Sequence, residues 1–519
     1  MSLSLTAFMN LRNFWSSDFS SSVVVFLVAL PLCLGIALAS GAPLFSGILA
    51  GVIGGIVVGA LSGSSVSVSG PAAGLTTIVA AAILDLGSFE AFLLSVALAG
   101  LIQIGLGFAK AGTIGHFFPS SVIKGMLAAI GLILILKQIP HAVGYDEDYE
   151  GDESFFQADG QNTFTEILNS FDNLSTGAVI ISVVSLLILI LWNKNYLQRF
   201  RFFRLVPAPL GAVIIGIFLN LVFNSFFPFL IIDPKHLVSV PALLGSSEAS
   251  SFFLFPDITQ LSNPKIYIAA ITIAIVASIE TLLSIEACDK MDSAHRITPL
   301  NQELKAQGVG NFISGLIGGL PVTSVIVRSS ANINAGARTK ASAISHGIIL
   351  LIALLAIPGV LNLIPLSCLA AILLTVGYKL TKLSLYKQMY AKGASQFFPF
   401  IITVLAILFT NLLQGVFLGI VVALFFILKT NFQKAVISVH ADDNYLIKFS
   451  KDVSFMHKAA IRNALARVPD NTRLVIDGTK SHFIDEDIIE TIEDYIEMAK
   501  TKNIEVDITG IKIKEKTLN

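Results

Sequence analysis

The chain has 519 residues, of which 54% are hydrophobic and 13% charged, and its formal net charge is −1. A soluble domain carries about a quarter charged residues, so this composition excludes an ordinary soluble protein, and the balanced charge offers no basic surface to nucleic acid. Cys33, Cys288 and Cys368 stand apart in apolar surroundings and the 8 histidines show no ligand spacing, so neither a disulfide framework nor a metal centre is expected.

Apolar windows recur along the chain, most of them long enough to cross a hydrocarbon core of about 30 Å. In order they are 20–39, 45–62, 71–86, 89–109, 120–138, 176–193, 205–225, 265–285, 303–319, 322–333, 341–357, 360–377, 397–412 and 414–430, which makes about fourteen spans. The first lacks a small-residue cleavage site and runs straight on into further spans, so it reads as a retained helix. The second carries Gly47, Gly51, Gly55, Gly59 and Gly63. Their spacing places them on one helix face, where small residues let backbones pack closely in lipid.

Loop charge gives the orientation. Lys194, Arg199, Arg201 and Arg204 lie between spans six and seven, and Lys379, Lys382, Lys387 and Lys392 follow Gly377. Both loops are expected on the cytoplasmic side. The stretch "GYDEDYEGDESFFQADG" holds acids and no Lys or Arg, and is expected outside. Both termini then fall in the cytoplasm. The two basic loops share a side only if the short windows at 71–86 and 322–333 count as spans.

From residue 434 the composition changes. "VISVH", "YLIKF" and "RLVIDG" read as strands, and "DEDIIETIEDYIEMAKTKN" as a helix with Asp485 at its N-cap. Ile488, Ile489, Ile492, Tyr495, Ile496 and Ala499 make one apolar face of that helix. Residues 1–433 are therefore expected to form a membrane domain and 434–519 a small cytoplasmic α/β domain.

The two short windows carry the chemistry. In "SVSGPAAGLTTIV" Pro71 donates no hydrogen bond and disfavours helix before itself, so "SVSG" is expected to be extended and a helix to start near Pro71. That start would leave the amides of Ala72, Ala73 and Gly74 unpaired at membrane depth, where irregular backbone survives only against a cavity or protein. In "GGLPVTSVIVRSSANI" a second short helix is expected to start near Val322 or Thr323, with hydroxyls from Thr323 and Ser324. Two broken segments at matching places in two halves point to a transporter site at a repeat interface, and helix starts attract anions.

Glu280 sits in the apolar span 265–285, with Ser284 one turn along. A carboxylate there is expensive unless protonated or paired, which makes it a functional candidate. It could exchange a proton, or hold Na⁺ together with Ser284 and nearby carbonyls. Arg328, in the second broken segment, could pair with it or raise the local anion concentration. No nucleophile–base pair appears, so an enzyme is not expected.

Several stretches resemble the SulP family of inorganic anion transporters: "FLVALPLCLGIALASGAP", "SVSGPAAGLT", "ASIETLLSIEACD", "NQELKAQGVGNFISGLIGGLPVTSVIVRSSANINAGARTKAS" and "IPLSCLAAILL". The resemblance implies an all-α polytopic membrane protein of seven-plus-seven inverted repeats followed by a STAS-like domain. Spans 1–4 and 8–11 would form a core that carries the anion, moving elevator-fashion against a gate of spans 5–7 and 12–14, usually in a homodimer. By position the anion would meet Ala72, Ala73, Gly74, Thr323, Ser324 and Val325, bordered by Leu32 and Ile36. Glu280 occupies the family's acidic position, where Glu tilts the coupling towards H⁺ rather than Na⁺. Ile36 replaces an aromatic residue found in many members. "FIDEDI", Phe483 to Ile488, lacks the phosphorylatable serine of related soluble domains.

The resulting expectation is secondary active transport of sulfate or bicarbonate across a bacterial inner membrane, with no cofactor beyond a coupling H⁺ or Na⁺. The alternatives are a nucleobase–proton symporter of the same architecture, which would want a carboxylate where span ten has Arg328, and an anion channel.

Overall fold

The structure is a computed structural model that describes residues 5–147, 155, 161–192, 194, 196–200, 203, 206–240, 254–433, 435–441 and 444–512. Most of the acidic loop (148–154 and 156–160), Arg201 and Arg204 of the first basic loop, and Lys434 at the expected boundary lie outside the described residues.

The chain divides into two compact units, Met1–Ile420 and Val421–Asn519. In the first, helix α1 (Leu5–Ala39) is followed by α2 (Leu44–Ile53), which continues through a π-helical turn, Gly54–Val58, to Leu61. Strand β1 (Ser69–Pro71) leads through a 3₁₀ turn (Ala73–Leu75) into α3 (Thr76–Leu86). Then come α4 (Phe89–Phe108), α5 (Ser120–Val143), α6 (Thr163–Asp172), α7 (Thr176–Trp192) and α8 (Ala208–Phe226). The second half follows the same order. It has α9 (Pro264–Met291), α10 (Leu300–Ile317), strand β2 (Val322–Ser324), α11 (Ile326–Asn334), α12 (Ala341–Ala356), α13 (Leu366–Leu380), α14 (Leu383–Ala391), α15 (Ala394–Phe409) and α16 (Leu412–Gln433). The division between the units falls inside α16, upstream of residue 433.

Among the described residues, 7 helices are long and apolar enough to cross a membrane, and four shorter apolar helices accompany them. Helices α1 to α4 pack with α9 to α12, while α5, α7 and α8 pack with α13 and α15. Glycines set the closest approaches. A side chain at Gly100 would strike the backbone of Phe312, and one at Gly131 the carbonyl of Gly377. The glycine stripe on α2 packs as expected, Gly47 and Gly51 against Cys33 and Gly55 against Gly347.

Helix α6 was not among the expected elements. It is bent by 114° from α7 and capped by Asn162. Its polar residues Thr163, Glu166 and Ser170 face inward, Glu166 towards Lys137 of α5 at 3.7 Å, while Phe164, Leu168 and Phe171 are exposed. This pattern is that of a helix lying at a membrane surface, which a search for spanning runs passes over. Beyond α8, the extended strap through Val240 runs beside the start of α13, where Leu237 bridges Pro365 and the Val238 amide donates to Ile364 O at 3.0 Å. Asp146 anchors the strap by accepting from Nδ1 of His236 at 2.5 Å and from Nδ1 of His141. Burial pushes the Asp146 carboxyl up, and the two histidine hydrogen bonds outweigh it, holding the group below the usual carboxylate range.

The second unit holds β3 (Val436–Ala441), β4 (Asn444–Phe449), α17 (Lys458–Leu465), β5 (Arg473–Asp477), α18 (Glu486–Thr501) and β6 (Glu505–Thr509). The sheet order is β3-β4-β5-β6, antiparallel at the first pair and parallel at the next two. Asp485 caps α18 through the Asp487 amide, and Ile488, Ile492, Tyr495 and Ala499 bury its apolar face. Helix α17 and strand β6 are the elements of this unit that sequence reading missed. "EVDIT" alternates acids with apolar residues, and its pairing with β5 supplies what its composition lacks.

At Gly54 a Cβ would lie 2.3 Å from the Ser69 carbonyl oxygen, so β1 crosses the π-helical turn only because no side chain is there. Gly54→Val is expected to destabilise the fold by about 1–3 kcal/mol. Thermal unfolding of the purified protein reads this as a lowered midpoint, and a midpoint equal to the parent's would refute the contact's importance.

Candidate anion site

Strands β1 and β2 pair antiparallel, with Ser69 opposite Ser324, Gly70 opposite Thr323 and Pro71 opposite Val322. Each strand satisfies the other's backbone, which is what permits extended chain inside a helical membrane unit. Beyond Pro71, Ala72 stays extended (φ −116, ψ 135) and the 3₁₀ turn at Ala73 opens α3. Opposite, Val325 is extended (φ −115, ψ 123) and α11 begins at Ile326.

Both helix starts therefore lie downstream of where the sequence placed them. The start expected near Pro71 falls at Ala73, and the start expected near Val322 or Thr323 falls at Ile326. Strand pairing takes up the residues between. This corrects the expected set of free amides. The Val322 amide donates to Asn311 Oδ1, the Ser324 amide to Thr281 Oγ1 at 3.4 Å, and the Val325 amide to Val68 O at 3.0 Å. The amides that helix geometry leaves without a carbonyl one turn back are Ala73 and Gly74 on one side and Ile326 and Val327 on the other. Ser324 and Thr323 remain side-chain candidates. Ser324 Oγ is buried with no hydrogen-bond partner among the described residues, and Thr323 Oγ1 reaches only Ser324 O at 3.4 Å.

The wall is apolar. Ile36 of α1 shares a buried cluster with Ala72, Leu75 and Val322, and Val325 packs at its edge. Leu32 is buried one turn earlier on α1. Glu280, buried on α9, brings its carboxyl against Gly74, with Oε1 and Oε2 3.1 and 3.2 Å from the point a Cβ would occupy there. Ser284 is buried one turn further along α9. Arg328 on α11 is fully buried, and its guanidinium lies against Gly70 and beside Gly51 and the Cys33 thiol. Its Nε and both Nη atoms make no hydrogen bond among the described residues. Each helix start is equivalent to about +0.5 charge. The two starts and the guanidinium are the positive groups around this place, with the Glu280 carboxyl beside the start of α3 and that of Glu303 behind the strands.

Sequence reasoning missed the residues that hold the two strands. Glu303, Gln307 and Asn311 lie one turn apart on α10 and are all fully buried. Gln307 Nε2 donates to Ser69 Oγ at 2.7 Å and to Glu303 Oε1 at 3.0 Å, and Glu303 accepts from Ser62 Oγ at 2.5 Å. Asn311 Nδ2 donates to Val322 O at 3.0 Å and to Gln103 Oε1 at 2.6 Å. One face of α10 thus grips both strands. From α11, Ser329 Oγ accepts the Val68 amide at 2.9 Å and Asn332 Nδ2 donates to Val66 O at 2.8 Å. The available signal was a polar residue every fourth position in an apolar helix.

The sequence model described as the Sulfate permease family matches residues 15–403. The chain is 28% identical over 422 residues to the "Putative sulfate transporter YvdB" of Bacillus subtilis (strain 168), covering 81% of this chain and 74% of that protein. It is 25% identical to the "Bicarbonate transporter BicA" of Picosynechococcus sp. (strain ATCC 27264 / PCC 7002 / PR-6), covering 84% of this chain and 74% of that one. Its fold is similar to the structure of the murine Solute Carrier 26 family member A9 anion transporter in the inward-facing state. The TM-score is 0.66 at 15% identity, over 96% of this chain and 85% of the other.

Ser324→Trp would fill the space before the two helix starts. Binding of radiolabelled sulfate or bicarbonate to the purified variant is expected to fall by at least about tenfold, the equivalent of ~1.4 kcal/mol. Binding equal to the parent's would place the site elsewhere. Asn311→Ala removes the partner of both Val322 backbone groups and is expected to cost about 1–3 kcal/mol of stability, read by thermal unfolding.

Proposed function

As the chain belongs to the Sulfate permease family, we propose that it is a secondary active transporter of a small inorganic oxyanion, sulfate or bicarbonate. The observation that carries this reading is the crossing of β1 and β2, which sets two helix starts, the Ser324 hydroxyl and the Glu280 carboxyl around one place. The anion is held by the amides of Ala73 and Gly74 and of Ile326 and Val327, with Ala72, Thr323, Ser324 and Val325 shaping the site and Leu32 and Ile36 walling it. Arg328 contributes its field from behind Gly70. Backbone amides accept either anion, so the site chemistry serves both.

Glu280 is the coupling group in this reading. Its carboxyl packs on the backbone that opens α3, so its charge and the anion's are felt by the same few peptide groups. Protonation, or Na⁺ held with Ser284, offsets that charge when the anion enters. The bundle of α1–α4 with α9–α12 carries the bound anion past the bundle built on α5 and α13, giving elevator-type access to each side. The protein works as a homodimer in a bacterial inner membrane with both termini cytoplasmic, and residues 434–519 serve dimer contact or a partner.

Uptake of radiolabelled bicarbonate and of sulfate into proteoliposomes, with pH and Na⁺ gradients imposed separately, tests this directly. Accumulation of one anion driven by one gradient is expected. Uracil uptake without anion uptake would support a nucleobase symporter, and unsaturable current without coupling would support a channel. Glu280→Gln is expected to abolish gradient-driven accumulation while retaining anion exchange. Full accumulation by that variant would remove Glu280 from the coupling.

A further inference from the structure

A cavity of about 870 Å³ lies away from the anion site, between the two helix bundles of the first unit. On one side α1 supplies Ser20 and Val24 and α11 supplies Ala331 and Asn334; on the other stand α7, the start of α8, and α13. None of the residues assigned to the anion site lines it. Along α1, Val24 is eight residues before Leu32, about 12 Å at helical rise. The cavity is therefore a separate crevice.

Its lining has two characters. The greater part is apolar, with Leu186, Leu189 and Ile190 of α7 facing Ile372 and Val376 of α13. One end is polar and interfacial. Trp192, whose indole N–H donates to Val206 O at 3.0 Å, and Tyr378 mark the depth at which aromatic side chains gather in membrane proteins. Lys379, in the last turn of α13, and Lys382, at the N-cap of α14, stand at that same end, and the stretch that the sequence reads as a basic loop is helical here. Positive-inside bias puts such lysines at the cytoplasmic face. Neither lysine forms an ion pair among the described residues.

We propose that this crevice binds an anionic phospholipid, its acyl chain lying between α1, α7 and α13 and its phosphate resting on Lys379 and Lys382. The lining selects this occupant. A hydrated inorganic anion gains nothing from the apolar walls, and a peptide would bring backbone groups that those walls cannot satisfy. An amphiphile with one anionic head matches both ends, and basic pockets between spans on the cytoplasmic side suit such lipids. Because the crevice separates the bundles that move past each other in the transport reading, an occupant wedged there sets the ease of that motion. This last effect rests on the transport reading; the binding does not.

Native mass spectrometry of the full-length protein with phosphatidylglycerol or phosphatidylcholine reads the binding without any transport assay. The parent is expected to retain phosphatidylglycerol selectively. Lys379→Gln with Lys382→Gln is expected to lose affinity for it by roughly 25-fold, taking about 1 kcal/mol for each lysine, and the paired Lys→Arg variant is expected to keep it. Thr375→Trp, which fills the apolar part and leaves both charges, is expected to weaken it as well. In proteoliposomes, phosphatidylglycerol is expected to change the parent's uptake rate and leave the Gln pair unmoved. Unchanged phosphatidylglycerol affinity in the Gln pair would overturn the proposal, as would equal retention of the two lipids by the parent. So would a Gln pair that binds lipid normally and shows only a raised KM for the anion, since the crevice would then be a substrate entrance.

Discussion

Hydrocarbon offers peptide groups no water, and that constraint organises the first unit. A chain that stops being helical inside the membrane must find partners for every N–H and C=O it frees. Here the two breaks find each other. The pairing of β1 with β2 satisfies the extended residues, and the side chains of Thr281, Gln307, Asn311 and Ser329 take up most of what remains around them. Helix geometry leaves the amides in the first turns of α3 and α11 without a carbonyl one turn back, where they are useful. The site lies where this hydrogen bonding of the breaks ends.

This accounting explains why α10 is so polar for a helix at the centre of a membrane bundle. Glu303, Gln307 and Asn311 would each cost several kcal/mol if buried without partners. Each is instead bonded, and through Ser62 and Gln103 the same network reaches α2 and α4. The strands are held from behind by side chains of α10 and α11. Arg328 differs in kind. Its guanidinium is shut in among Gly51, Gly70 and Cys33 with no oxygen acceptor among the described residues, so its charge is felt chiefly as a field.

Much of this was legible in the residues. Apolar runs and glycine spacing gave the helices and their close contacts, and Pro71 with Gly318, Gly319 and Pro321 gave the two breaks. The α/β pattern after residue 434 and the cap at Asp485 were equally plain. What the residues concealed was pairing across the chain. No local feature of "SVSG" or "PVTS" says that one will lie against the other, and without that the helix starts were placed two to four residues early. Helices α14 and α17 were not read either, and helix α6 and strand β6 escaped because their partners, not their own hydropathy, define them. Thr281 carries no signal of its own, because a threonine in an apolar span does not show that its hydroxyl will accept the Ser324 amide of β2.

The joint between β1 and β2 also bears on how the protein is made. Pro71 emerges from the ribosome long before Val322, and until then the first break has no strand to pair with and Gln307 is not there to hold Ser69. Insertion of the amino-terminal helices must therefore leave an unfinished segment in or near the bilayer, completed only when the second half arrives. Biogenesis of this chain is thus a matter of the halves waiting for each other, and a ribosome-stalled nascent chain ending before α10 would present its first break to whatever chaperone tends incomplete membrane proteins.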